Sequence, residues 1–350
     1  MKIPTEPIGS IPRPDELIQA ITAPNGNADL TTLYADAIGD TIKELEKTGS
    51  PVVTDGEQTK SSFATYPLQG LSNLTAGGMT INFEDGHSRQ LPLLTSGPFR
   101  YGTYAVKYLN AAQKLTSRPV KQAVISASAL SLIYPPNGIE VYTHDQFIAD
   151  LINECEKDIR QCLTNGAYKV QMDFTEGRLS LKLDPSGGVL KTFVDLNNQV
   201  FNRFTKEEQH KLGVHVCPGG DHDSTHSADI NYAELLPLLF ELNVGSFYLQ
   251  LASEPNRAAV LEEIKKHLKP HQTAFIGVID VLNPKIESAE EVRDRVLEAA
   301  EYIPLNQLGT TDDCGFSPFC DDVSTTRETA FAKIKARVEG TRLAEEKLFQ

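Results

Sequence analysis

Three residues set the chemical question. His215 and Cys217 stand one residue apart in "GVHVCPGG", and Cys314 sits far downstream in "TTDDCGF". Alternate residues of a strand face the same side, so an imidazole and a thiolate at 215 and 217 can reach one ion. Zinc favours mixed nitrogen and sulfur ligands, and three protein ligands beside an open position describe a catalytic rather than a structural site. Asp221, His222, Asp223, His226 and Asp229 follow Cys217 closely. A loop that only joined two elements would need Gly219 and Gly220 and little else, although each of these polar residues also reads as ordinary loop surface.

The elements that must position these groups follow from periodicity. Short apolar runs rich in β-formers fall near 3–9, 50–55, 120–126, 167–173, 211–217, 246–252, 273–279 and 306–311. Helical patterns lie between them at 30–47, 99–116, 143–163, 190–209, 231–243, 256–268 and 288–301. Alternation of this kind builds a parallel sheet covered by helices. Eight strands without a linker predict an α/β fold, a single (β/α)8 TIM barrel over 1–350. In "THDQFIADLINECEKDIRQCL", Thr143 and Gln146 form a capping box, and Phe147, Leu151, Ile152, Cys155, Ile159 and Cys162 share one face. Both cysteines read as core. A last helix is expected to start from a Thr325/Glu328 capping box. Region 64–98 breaks the alternation, and "MTINFEDGHSRQLPLL" reads as a β-hairpin turning at Asp85-Gly86, an insertion projecting from the barrel.

Sites of such barrels lie at the C-terminal ends of the strands. Those ends carry Ser10, Asp55 with Glu57, Ser126 and Ser128, Asp173 with Glu176, His215 and Cys217, Gln250, Asp280, and Cys314. A barrel mouth brings the fifth and eighth strands together, so Cys314 can complete a metal site with His215 and Cys217.

Composition narrows the partners. Of 350 residues, 40% are hydrophobic and 23% charged, with a net charge of −14, which argues against nucleic acid or an anionic membrane as the main partner. The opening "MKIPTEPIGSIPRP" has no apolar core of a secretory signal, and no apolar run approaches the roughly 18 residues of a spanning helix. Five scattered cysteines do not make a disulfide framework, so a reducing cytoplasm is the expected location.

"IGSIPRP", "VVTDGE", "VQMDFTEGRL", "HVC", "GVID" and "DDCGF" occur in that order along nearly the whole chain. In this the sequence resembles the catalytic half of cobalamin-independent methionine synthase, in the short, single-barrel branch of that zinc methyltransferase family; the duplicated amino-terminal barrel of the long enzymes is absent. The resemblance implies zinc held by His215, Cys217 and Cys314, keeping an acceptor thiol as thiolate. It implies that Ile8, Gly9, Ser10, Glu57 and Asp173 bind the backbone groups of homocysteine. It also implies a small-molecule methyl donor, methyltetrahydrofolate or another.

Two departures stand out. The family's zinc-binding Glu is matched by Gln250, with Glu254 four residues on. The family's "DIHS" histidine, proposed as proton donor to the leaving nitrogen, is matched by Leu282, which leaves Asp280, His222 or His226 to supply the acid. A thiol alkyltransferase that opens an epoxide, and a barrel subunit that takes methyl groups from a corrinoid protein, are the alternatives. The uroporphyrinogen decarboxylase type shares the barrel but lacks the H-x-C and D-C-G pair. Homo-oligomer formation is left open.

Overall fold

The structure is a computed structural model describing residues 2–23 and 29–350. Its twelve strands are β1 Leu74–Thr75, β2 Thr80–Asn82, β3 Ser88–Gln90, β4 Leu93–Leu94, β5 Lys121–Ile125, β6 Lys169–Asp173, β7 Leu212–Val216, β8 Gly220–Asp221, β9 Ser224–Thr225, β10 Ser246–Leu249, β11 Thr273–Gly277 and β12 Leu308–Thr311, counted among the described residues. Six of them form one parallel sheet in the order β12-β11-β10-β7-β6-β5. Its strands are almost wholly buried, as a parallel sheet covered by helices requires.

The expected strands at 3–9 and 50–55 are present only as single parallel bridges, Thr5 to Thr310 and Val53 to Val120. Proline explains the shortfall. Pro4, Pro7 and Pro51 lack the N–H a ladder needs, so pairing shrinks to the residues between them. Glu6 N donates to Thr310 O and Thr310 N to Pro4 O, while Val53 N donates to Pro119 O and Lys121 N to Val53 O. These segments therefore flank the two edge strands of the ladder. They also touch each other: Thr54 Oγ1 donates to Gly9 O, and Ile11 N to Gly56 O.

The helices run close to their expected places, with Thr31–Lys47, His144–Thr164, Gly188–Phe201, Tyr232–Leu239, Arg257–His267 and Ala289–Ala300 between strands. The Thr143/Gln146 capping box is formed, and Cys155 and Cys162 are buried in the core. The last helix, Arg327–Leu348, is capped by Thr326 rather than Thr325. The hairpin β2–β3 turns through Asp85-Gly86 as expected but does not project outward. Glu84 N donates to Thr225 O, Asp85 N to Ser224 Oγ, and Arg89 pairs with Asp221 and Asp321. Its polar face thus docks on the β8–β9 loop, where buried Asp221 needs a cation.

Candidate metal centre and active site

His215 lies on β7, in register with Asp173 on β6 and Tyr248 on β10. Cys217 follows on the same face, and Cys314 arrives just past β12. Their ligand atoms lie within 4.8 Å of one another, the only such His/Cys/Asp/Glu group among the described residues, and the two sulfurs are 3.1 Å apart. His215 Nδ1 is 3.2 Å from Tyr248 O, which fixes it as the protonated nitrogen, and buried Nε2 has no partner. A metal-bound histidine is commonly oriented in this way. A hydrogen bond with Cys217 and then burial push the Cys314 thiol well up, so its proton stays on unless a cation replaces it. Gly219 N donates to Cys217 Sγ. The N/S/S donor set and the bare Nε2 fit zinc.

Cys314 is placed by its neighbour. Asp313 accepts from Leu251 N, Ala252 N, Ser253 N and Ser253 Oγ, tying the loop after β12 to the loop after β10. Burial lifts its pKa to about 6 against those bonds. Ser253 Oγ gives its proton to Asp313 and accepts from Gln250 Nε2 at 2.7 Å, leaving buried Gln250 Oε1 bare. This chain of bonds suits an amide. A carboxylate at 250 would set an oxygen against the lone pairs of a hydroxyl whose proton is already committed.

One cleft, about 380 Å³ counting the space open to solvent, is lined by Ile8, Gly9, Ser10, Glu57, Asp173, His215, Cys217 and Cys314 together. The five positions expected to bind substrate and the His/Cys/Cys positions expected to hold metal line it together, whereas Gln250 does not. Glu57, at φ 57°, ion-pairs with buried Lys60 at 2.8 Å. Asp173 accepts from Gln171 Nε2, and burial, then the charge of Glu57, lift its pKa to about 6. Lys60 escaped the sequence reading, although its spacing three residues after Glu57 is a usable signal.

The remaining candidates lie elsewhere. Glu254 is taken by Arg178 at 2.6 Å, a buried arginine that nothing in the sequence marks. Asp280 accepts from Leu282 N and shares a small cavity with Gln250 and Cys314. His222 faces Arg89 and Asp322, outside the substrate cavity. His226 is stacked edge-on against Phe83, and burial, then Lys182, lower its pKa to about 4. It lines a second cavity, about 860 Å³ counting the space open to solvent, that shares Phe63, Thr175, Gly219 and Gly220 with the first.

Comparison with known proteins agrees in length and in fold. The chain is 23% identical over 357 residues to a methionine synthase of Saccharolobus solfataricus, spanning 99% of this chain and 96% of that protein. It is 22% identical over 355 residues to the methionine synthase of Pyrococcus horikoshii, spanning 99% and 94%. The solved structure of a B12-independent methionine synthase from a Shewanella species, in complex with selenomethionine, superposes with a TM-score of 0.79 at 20% identity, covering 100% of this chain and 99% of that one. Residues 3–341 match the family model of the cobalamin-independent synthase catalytic domain, and the chain belongs to that family.

Proposed function

We propose that this protein transfers a methyl group to the sulfur of homocysteine, giving methionine, at a zinc ion held by His215, Cys217 and Cys314. The observation that carries this reading is the shared cavity, in which three soft ligands and two acidic side chains face one small space. Zinc bound there would hold the acceptor sulfur as a thiolate, where a free thiol, with a pKa of about 8.5, stays mostly protonated at neutral pH.

Protein groups do the rest. Glu57 and Asp173 offer carboxylate oxygens to the substrate ammonium, and Lys60 ion-pairs with Glu57 inside the fold. Ile8, Gly9 and Ser10 line the wall for the substrate carboxylate. Gln250, whose buried Oε1 has no partner, would be the residue to offer the metal a neutral oxygen, and the ion would then be one charge more positive than with a carboxylate. We place the methyl donor, of the methyltetrahydrofolate type, in the second cavity, across Gly219 and Gly220. The scaffold is a single-domain (β/α)8 barrel, closed where segments 3–9 and 50–55 meet.

The test is to measure bound zinc per chain and to incubate the zinc form with homocysteine and a panel of donors, identifying the product by mass. One zinc per chain and methionine as product are expected. Full metal content in the Cys217→Ser/Cys314→Ser variant, or no thioether from any donor, would overturn the reading.

A further inference from the structure

The second cavity holds an acid the reaction has not yet used. Glu176 opens the helix Glu176–Leu183, is buried, and lines that cavity among Phe63, Phe83, Leu132 and Leu179. Its two oxygens differ sharply. Ser126 Oγ accepts from Ala129 N at 3.0 Å, and Ser128 Oγ accepts from Asn197 Nδ2 at 2.8 Å. Each hydroxyl is thereby left with its own proton to give, and both give it to Glu176 Oε1. Oε2 has no partner at all. A carboxylate bearing one bare oxygen in an apolar wall is costly, and Oε1 has no room for a third proton. The carboxyl proton therefore belongs on Oε2.

We propose that Glu176 is the acid of methyl transfer, handing the Oε2 proton to the departing donor atom, and that the donor accordingly leaves through an amine nitrogen. The inference rests on the thiol-methylation reading above. In the step, a sulfur electron pair forms the S–C bond. The C–N bond breaks with its pair staying on nitrogen, and nitrogen takes the Oε2 proton. The Glu176 carboxylate then regains a proton from water, matching the one the thiol released. Burial supports this by lifting the Glu176 pKa to about 7 despite the two serine bonds, close to the working range of a general acid. The rivals are less suited. His226 shares the cavity but is neutral well above pH 4, and His222 and Asp280 face other groups. A sulfonium or a corrinoid methyl leaves without needing a proton, so such a donor would give the Glu176 arrangement nothing to do.

The experiment compares methyl transfer to homocysteine from methyltetrahydrofolate and from trimethylsulfonium in the parent and in Glu176→Gln. The ratio of amine to sulfonium rates should fall about 100- to 1,000-fold in the variant. An unchanged ratio would overturn the proposal, whatever the absolute rates. If the parent methylates homocysteine only from the sulfonium, the acid assignment is also wrong; if it methylates from neither, the thiol-methylation reading fails first. Ser128→Ala, which keeps the acid, removes one donor to Oε1 and should move the basic limb of the pH–rate profile up by about half a unit or more; an unmoved limb would refute the role. Infrared titration, independent of activity and read as the difference between the parent and Glu176→Gln, should show one protonated carboxyl band lost near neutral pH, above the bands of Asp158, Asp173 and Asp313. No such band in the difference would place the proton on another group.

Discussion

Replacing Lys60 by Met should destabilise the protein by about 3–5 kcal/mol at neutral pH, the cost of leaving one member of a buried ion pair without its partner. Lys60 is 1% exposed, and its Nζ lies 2.8 Å from Glu57 Oε1, 3.2 Å from Ala123 O and 4.5 Å from the centre of the Tyr66 ring. Asp55, equally buried and with a bare Oδ2, is the second carboxylate that relies on this ammonium. Methionine is close to lysine in volume, so the loss reports charge rather than a cavity. The loss of the ring contact adds about 1 kcal/mol. A second change, Glu57→Gln, removes the stranded charge and should return more than half of the loss. Urea unfolding of the parent, both single variants and the double variant gives the coupling directly, and thermal scans should place Lys60→Met about 5–15 °C below the parent. A loss under about 1 kcal/mol, or a Glu57→Gln change that adds to the damage, would show that Glu57 is not held by Lys60 in solution.

Cys314→Ser should lose most bound zinc while keeping the fold, checked by metal analysis beside circular dichroism. Gly219→Ala should cost about 2–4 kcal/mol, because the residue sits at φ +71° and the new Cβ would lie 1.7 Å from His226 Nε2; a melting temperature within a degree or two of the parent would mean the imidazole swings away freely. Gln250→Glu should tighten zinc in chelator competition, though by less than a new anionic ligand ordinarily would, since it breaks the Gln250–Ser253 bond. Asp158, raised to about 6 by burial, binds its proton more tightly folded than unfolded. That contribution, about 3 kcal/mol, is present below about pH 4 and lost as pH rises through 6. Asp158→Asn should flatten the fall in stability over that window, measured by unfolding at fixed denaturant steps.

The gathering of Ile8, Gly9, Ser10, Glu57, Asp173, His215, Cys217 and Cys314 could be read in advance because strand ends converge whatever the detailed packing. Burial and pairing could not be read that way. Glu254 stood behind Gln250 as an alternative, and what removes it is Arg178, a side chain distant in sequence. His222 stands close to Cys217 along the chain but turns at φ 48° toward Arg89 of the hairpin, a contact no local pattern encodes. The strands at 3–9 and 50–55 were placed correctly but overcounted in length, since apolar character says nothing of the missing proline donors. Ser126, Ser128 and Glu176 appeared among the polar strand ends, yet the asymmetry between the two Glu176 oxygens exists only in three dimensions.

The single bridges at Thr5 and Val53 bear on how the molecule breathes. Segments secured by a few hydrogen bonds open at lower free energy than the six-stranded ladder beside them, so their amides should exchange with solvent first. Ser10 and Glu57 follow directly on these segments and line the cavity, so what fills the cavity bears on the seam. A bound amino acid that joins Ser10 to Asp173 would stitch the seam to the rigid ladder and slow that exchange locally. The substrate would then act as a structural member of the fold, and the protein at rest would be looser along one line only.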